Sequence, residues 1–446
     1  WGADFDPVRA ALWRRRGGDR VGMDQAVARG FFDRHSINLR LDSTSKFSLS
    51  QESKTESHLR LNNACVYSMS HLESSPSSEH GGYSMASQEL LDAKETLDKL
   101  ISKQRVALYK PIQIAEILYH ARTGELKANI GNNLEAYRNP SKKWRDIVTT
   151  RLIGQFSTSS QKYQDNLFEA NALPPKTLDA LAKENKKYQG IVERYIYQQF
   201  WIRQQRIMRL WDLLEGTTIE KFDLNEFIAE FVMDKHIKRS IDKAYEIIVY
   251  ALFSTLVKHL NVKVTLSIDP AQGELLKKFE VFATLVLGVD STHPNLVMDA
   301  KLYRAGATNA ADRGLDMWAN FGPIVQVKHL TISEELADDI SDQVAADRII
   351  IVCKDGDKEI IEKICRQLRQ MGQRIQGVVV QSQLATWYEE AMRGQFSPLM
   401  GDDLLNSLRQ EFQNEFPYST TFNEFYQERK YHLFPQNKSL FWLDEQ

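Results

Sequence analysis

From Ser240 onward the apolar periodicity of the chain changes, and that change limits the fold class. Ser240-Ile-Asp-Lys-Ala-Tyr-Glu-Ile-Ile-Val-Tyr-Ala-Leu-Phe253 reads as a strongly apolar helix opened by a Ser cap. Strand-like runs follow at 262–268 and 279–287. Gly314-Leu-Asp-Met-Trp-Ala-Asn-Phe-Gly-Pro-Ile-Val-Gln-Val-Lys-His329 then reads as strand, tight turn and strand. A capped acidic helix over 333–340, an apolar strand over 348–353, an amphipathic helix over 357–371 and a strand over 375–380 complete the series. Helix, strands, helix, strand, helix, strand is the order of an α/β core in which helices cover a mixed sheet.

The rest of the chain surrounds that core. At 446 residues it is too long for one ordinary core. Residues 1–84 combine Trp13-Arg-Arg-Arg-Gly-Gly with a Ser-rich, poorly periodic stretch, which buries too little apolar area to offset its ordering entropy. They read as a disordered arm or as non-native upstream sequence, with a small basic DNA-binding arm around Arg14 to Arg16 as the rival view. The folded protein is expected to begin near Met85. Residues 85–235 have helical spacing and form an N-terminal helical domain. Tyr188, Ile191, Val192, Tyr195, Ile196, Phe200, Trp201, Ile207 and Leu210 form a stripe that reads as helix-packing core rather than a base-stacking platform. Residues 236–390 form the α/β core, and 391–446 a helix and loop extension rich in aromatics.

Charge and cysteine usage narrow the class. The net charge of -2 argues against a generally basic nucleic-acid coat, although a local basic groove remains compatible with it. Cys65, Cys353 and Cys365 form no CxxC or Cys/His cluster, so a structural zinc site is not expected. A reducing cytoplasm fits. No apolar run reaches membrane-spanning length, and the N-terminal Arg patch has no apolar stretch behind it, so it does not read as a secretory signal.

The strand–turn–strand segment carries the chemistry. Residues two apart on a strand share a face, so Gln326 and Lys328 project together. A turn over Asn320-Phe-Gly-Pro323 can fold Asp316 back beside them. An acid, an amide oxygen and an ammonium at one spot could hold a divalent cation and steer a water against a phosphodiester. Glu246 stands in an apolar helical stretch, where a carboxylate is costly unless paired or metal-linked, and is expected to support the site. Asp290, Asp299 and Lys301 form a rival acid and Asp-x-Lys set, closer to the standard nuclease pattern by residue type. Its Pro- and Asn-broken context favours Asp316/Gln326/Lys328.

Three loop-like segments are candidates for DNA contact. Lys142, Lys143 and Arg145 lie in Tyr137-Arg-Asn-Pro-Ser-Lys-Lys-Trp-Arg145, and a second stretch runs Phe156-Ser-Thr-Ser-Ser-Gln-Lys-Tyr163. Both mix cations, hydroxyls and aromatics, which suits phosphate contact as well as it suits a solvated turn. Arg304, Asn309 and Arg313 lie in the glycine-bearing stretch that feeds the Asp316 strand, where they could read base edges; an Arg/Asp-braced loop is the plainer reading.

The run Tyr303-Arg-Ala-Gly-Ala-Thr-Asn-Ala-Ala-Asp-Arg-Gly-Leu-Asp-Met-Trp-Ala-Asn-Phe-Gly-Pro, with the following Gln-Val-Lys-His, resembles the HaeII-type restriction endonucleases of the PD-(D/E)xK nuclease superfamily. The helix Asp242-Lys-Ala-Tyr-Glu-Ile-Ile-Val-Tyr-Ala-Leu-Phe is similar to the Glu-bearing first helix of that superfamily. The resemblance covers the chain from Met85 and implies a restriction-endonuclease-like core. It implies a Mg2+-dependent type II enzyme of a bacterial, cytoplasmic restriction-modification system, cutting double-stranded DNA at a palindrome similar to RGCGCY. It implies a homodimer and a separately encoded methyltransferase. By motif, Asp316, Gln326 and Lys328 become the active centre, Glu246 supports it, and Asp316, Gln326 and Glu246 hold the metal. Gln326 departs from the acidic consensus at its position. That departure keeps two alternatives in view: a structure- or modification-dependent nuclease, and a non-cutting DNA-binding protein on a nuclease fold.

Overall fold

The computed structural model describes residues 85–127, 129–157, 166–305, 315–331, 333, 335, 348–356, 361–363, 366, 375–434 and 439–441. Expectations for 1–84 lie outside those residues. So do Cys65, Cys365, Asn309 and Arg313, most of the 156–163 loop, and nearly all of the helices expected over 333–340 and 357–371.

The first half is helical, as its periodicity dictates. Helices α1 (Met85–Ser102), α2 (Tyr109–Thr123), α3 (Pro140–Ile153), α4 (Pro175–Lys187), α5 (Ile191–Gly216) and α6 (Leu224–Met233) follow one another. Two of them, α3 and α4, place proline at their start, where its missing N–H and fixed φ cost nothing. The 137–145 segment is therefore not a loop: a helical turn, Glu135–Arg138, leads into α3. The stripe of α5 is core, as expected. Its N-terminal half (Ile191, Val192, Ile196, Phe200) packs in one hydrophobic cluster, and its C-terminal half (Ile207, Leu210, Leu214) in a second. With 26 residues, α5 runs about 39 Å and links the helical region to the sheet region.

Helix α7 (Ile241–His259) is the hub of the second cluster. Ile247, Ile248, Val249, Ala251 and Leu252 are completely enclosed, and each of the four larger side chains contributes roughly 1.5–3 kcal/mol by leaving water. Ser240 precedes the helix but does not cap it through its side chain; its buried Oγ has no hydrogen-bond partner among the described residues. The chain enters through the tight turn Lys238–Ser240 instead.

Beyond α7, β1 (Lys263–Ser267) pairs antiparallel with β2 (Asn295–Asp299) in a small sheet of its own. The 279–287 run expected between them as a strand is helical, forming the turns Glu280–Phe282 and Ala283–Leu287. Val281, Phe282, Leu285 and Val286 are exposed there, and a short apolar run carries no period that separates strand from helix.

The main sheet is mixed, in the order β3 (Leu302–Arg304), β4 (Met317–Ala319), β5 (Ile324–Thr331), β6 (Ile349–Lys354), β7 (Ile375–Val380). The first three strands are antiparallel neighbours, and β5, β6 and β7 are parallel. Leu302, Met317, Ala319, Val325 and Val327 face α7, while Ile324, Ile349, Ile351 and the thiol-bearing Cys353 pack on the other face.

The C-terminal part is not an appendage. Helices α8 (Gln381–Arg393) and α9 (Ser397–Glu415) pack on α7, with Leu404, Leu408 and Phe412 in the same cluster. The last helix, α10 (Phe422–Glu428), and Tyr431 and Phe441 return to the N-terminal helices. A buried polar network secures that return. Glu193, fully enclosed, accepts hydrogen bonds from Arg122, Asn185 and the Tyr431 hydroxyl, and Glu116 accepts them from Tyr197 and Arg429. Among the described residues no helix is long and apolar enough to cross a membrane.

Candidate active site

The hairpin β4–β5 sets the geometry. Gly322 has φ 109°, which only glycine adopts without strain, and the amide of Ala319 donates to Pro323 at 2.9 Å to close the turn. Asp316 lies one residue before β4, at the open end of the hairpin. Its Oδ2 accepts a hydrogen bond from the Val327 amide at 2.7 Å, so it reaches across to β5 between Gln326 and Lys328. Its Oδ1 takes no hydrogen bond among the described residues. Gln326 and Lys328 alternate with Val325 and Val327, which face α7, whereas Asp316, outside β4, lies close enough to α7 for Lys243 and Asp242 to act on its carboxyl. The pairing of β5 with β6 shifts register between Val327 and Thr331, an irregularity of the kind that re-aims side chains beside functional sites.

Electrostatics join α7 to this group. Burial pushes the Asp316 carboxyl up, against the Val327 amide and the nearby Lys328 and Lys243 ammonium groups, while Asp242 adds to the rise. Glu246, buried on the second turn of α7, is pushed up to about 7 by burial, with the Asp316 charge adding to the effect and Lys243 opposing it. Lys243 Nζ donates to Glu246 Oε1 at 2.8 Å and Oε2 at 2.6 Å. Two carboxylates held above their ordinary range between two lysines mark a place where developing or added charge is strongly felt. Lys243 is the member that sequence reading missed. Its signal was present: it stands three residues before Glu246, the spacing at which helical side chains meet.

The rival set does not converge on such a place. Asp290 Oδ1 accepts from the Thr292 amide, the Thr292 hydroxyl and the His293 amide of its own turn, which hold its carboxyl below the usual range. Asp299 ends β2, exposed and paired with Lys263 at 2.5 Å, which likewise lowers its carboxyl. Asn320 clamps this segment to the turn end of the hairpin, accepting from the Lys301 amide at 2.8 Å and donating to the Asp299 carbonyl at 2.9 Å. Asp316 is at the other end.

Two expected DNA contacts are corrected. Arg145 is 1% exposed, and its guanidinium is held by Asp146 and Gln113 inside the helical region. Arg304 alternates with Tyr303 and so lies on the α7 face, where it pairs with Glu411 at 3.0 Å and Glu415 at 2.6 Å on α9. Lys142 is half-buried and Lys143 exposed, both on α3.

The donor set suits a hard, partly hydrated cation rather than an all-protein cage. Among the described residues no three His, Cys, Asp or Glu side chains gather for a metal. Asp316, Gln326 and Glu246 carry oxygen donors of the kind a hard divalent cation takes, and such an ion can keep several waters and bind through one or two carboxylates plus phosphate.

The hairpin brings an acid to a Gln-x-Lys strand beside a Glu-bearing helix in an α/β core, an arrangement that suits a metal-dependent nuclease. Residues 93–431 match the HaeII restriction endonuclease family, and the chain belongs to it. It is 47% identical over 343 residues to the type II restriction enzyme HaeII of Haemophilus aegyptius, covering 76% of this chain and 96% of the relative. It is 45% identical over 333 residues to the type II restriction enzyme NgoBI of Neisseria gonorrhoeae, covering 75% and 93%. No solved structure matches it. The chain is thus a type II restriction endonuclease, a hydrolase that cleaves double-stranded DNA site-specifically.

Proposed function

We propose that this enzyme hydrolyses both strands of a short palindrome similar to RGCGCY, with Asp316, Gln326, Lys328 and Glu246 as its active centre and Mg2+ as its cofactor. The supporting observation is the Asp316–Val327 hydrogen bond, which holds the acid against the strand that presents Gln326 and Lys328. Asp316, Gln326 and Glu246 would hold the metal, which when bound supplies positive charge to the scissile phosphate and acidity to a water. Lys328 orients the attacking water and offsets the charge that builds on the non-bridging phosphate oxygens. Asp316 would position the phosphate through the metal it helps to hold. In-line attack leaves a 5′-phosphate and a 3′-hydroxyl.

A two-fold target is met by a two-fold protein, so the working form is a homodimer in which each subunit cuts one strand. Exposed Lys143, together with Asn309 and Arg313, supplies candidate DNA contacts. The enzyme would act in a bacterial cytoplasm, in a restriction-modification system whose separately encoded methyltransferase protects host DNA. The deciding experiment is digestion of unmethylated phage DNA by the purified chain with magnesium. Discrete fragments ending at RGCGCY support the reading. Nicks governed by branching or methylation, or intact DNA, overturn it.

A further inference from the structure

The small sheet β1–β2 carries a helical segment with two apolar faces. Gly273–Lys278, Glu280–Phe282 and Ala283–Leu287 follow one another as helical turns. The Phe279 amide donates to the Leu275 carbonyl at 3.0 Å and the Ala283 amide to the Phe279 carbonyl at 2.9 Å, which joins them. One face is used by the sheet: Leu276 and Ala283 are buried with Val289 against Leu266, Ile268 and Leu296. The other face is open. Leu275, Phe279, Phe282 and Val286 recur at spacings of four, three and four, which aligns them along one side of a helix, and Val281 and Leu285 flank them. All six are 54–78% exposed. Residues 166–305 are described without a gap, so the chain flanking this face on either side is accounted for and does not cover it.

We infer that this face is the contact between two copies of the chain, each laying its Leu275–Val286 stripe against the same stripe of the other about a two-fold axis. The inference rests on the reading of the working enzyme as a homodimer, and names the surface that joins it. Area supports a second copy. The six side chains expose on the order of 700 Å², above the roughly 300–600 Å² of the largest apolar patch on an ordinary monomer. That is close to the roughly 800 Å² per partner that a standard stable interface buries. Charge points the same way. Glu274, Lys277, Lys278 and Glu280 sum to zero within the segment, and Glu274 and Lys277 pair at 3.4 Å. Binding to DNA or to an anionic membrane draws on an excess of lysine and arginine, which this segment lacks. A neutral apolar stripe suits another of its kind. Spacings of four and three are those of the seam by which two helices interlock, and a two-fold pair satisfies both stripes in one contact. Asn320 clamps the Asp299 end of β2 to the turn end of the hairpin, away from Asp316, so a substitution in the stripe changes no residue of the proposed cleavage centre.

Sedimentation of the full chain, alone and on a duplex that it cuts, reads the assembly. Wild type is expected to reach the mass of two chains at micromolar concentration. The double variant Phe279→Glu, Phe282→Glu is expected to show half that mass with an unchanged melting temperature, because both rings are exposed and neither belongs to a core cluster. A variant that pairs as wild type does overturns this surface and leaves the homodimer standing. A wild type that stays at the mass of one chain, even on the duplex, overturns both. Crosslinking gives a second reading that does not depend on how the double variant folds. Phe279 is replaced by p-benzoyl-phenylalanine, and heavy-isotope-labelled and unlabelled chains are mixed in equal parts, irradiated, digested and mapped by mass spectrometry. Adducts joining a labelled chain to residues 273–287 of an unlabelled one are expected. Adducts only within one chain would mean that its own sequence covers the face. That outcome, adducts to another surface of the second copy, or none, would overturn the contact.

Discussion

Lys243 donates to both carboxylate oxygens of Glu246, at 2.8 and 2.6 Å, so the acid on α7 enters the site already paired. The pair is 13% and 6% exposed, and Glu246 still sits far above a solvated carboxylate. Lysine alone therefore does not offset the cost of enclosing that charge opposite Asp316. Proton uptake by Glu246 relieves what Lys243 leaves unbalanced.

A pH dependence follows for the metal-free protein. The Glu246 carboxyl has an ordinary value of 4.5 and is pushed up to about 7 in the folded chain. Between those values the folded state binds the proton that the unfolded state has released. Stability therefore falls as pH climbs from about 4.5 to about 7 and then levels off. At about 1.4 kcal/mol per tenfold, the whole change is on the order of 3 kcal/mol. Urea unfolding in EDTA from pH 5 to 8 measures it. Glu246→Gln is expected to flatten that slope, and an unchanged slope would place the titration elsewhere.

The choice between the two acid sets has a direct measurement. Asp316→Asn keeps an oxygen for the Val327 amide, so the hairpin should persist while cutting falls by about a thousandfold or more. Asp299→Asn removes only an exposed pair with Lys263 and is expected to leave the rate unchanged. Single-turnover cleavage of the two variants, beside their melting curves, compares them. The reverse order would move the centre to the turn end of the hairpin.

Much of this site was legible because its signals are local. The parity of Gln326 and Lys328, the glycine-proline turn at 322–323, and a lone Glu in the apolar stretch of a helix are all read within one element. What escaped depends on partners far along the chain or on a period too short to read. Arg304 finds Glu411 and Glu415 more than one hundred residues away, so a loop reading missed its commitment to α9. Arg145 looked solvated because Asn139 and Pro140 signal a break. The proline instead opens α3 and turns the guanidinium inward onto Gln113. The run 279–287 is apolar without alternation, and composition alone could not choose helix over strand there.

The reassignment of Arg304 can be measured. Arg304→Ala leaves Glu411 and Glu415, 18% and 7% exposed, facing each other without their cation. The expected cost is about 3 kcal/mol of stability, less than the full penalty for breaking an enclosed pair because one acid is partly solvated. DNA affinity and its salt slope should not move. Lys143→Ala, on the exposed side of α3, is expected to do the opposite: unchanged stability, and a salt slope lower by about one if that lysine meets a phosphate. Binding titrations across salt, beside thermal melts, separate the two behaviours.

Lys328→Ala tests the chemistry itself. Lys328 is half-buried beside Asp316, on the strand that also presents Gln326, and it is not part of the hydrophobic core. Removing its ammonium takes away the group that steers the water and offsets charge on the phosphate oxygens, but leaves the Asp316–Val327 hydrogen bond intact. The cleavage rate should drop by about two to four orders of magnitude. Affinity for a target duplex, measured without magnesium, should change little, because one cation among the contacts to a duplex contributes only a small share of the attraction. Loss of both activities with an unchanged melting temperature would assign Lys328 to DNA binding. Loss of both with an early melt would make it a structural charge, and in either case the cleaving lysine would have to be sought at Lys243 on α7.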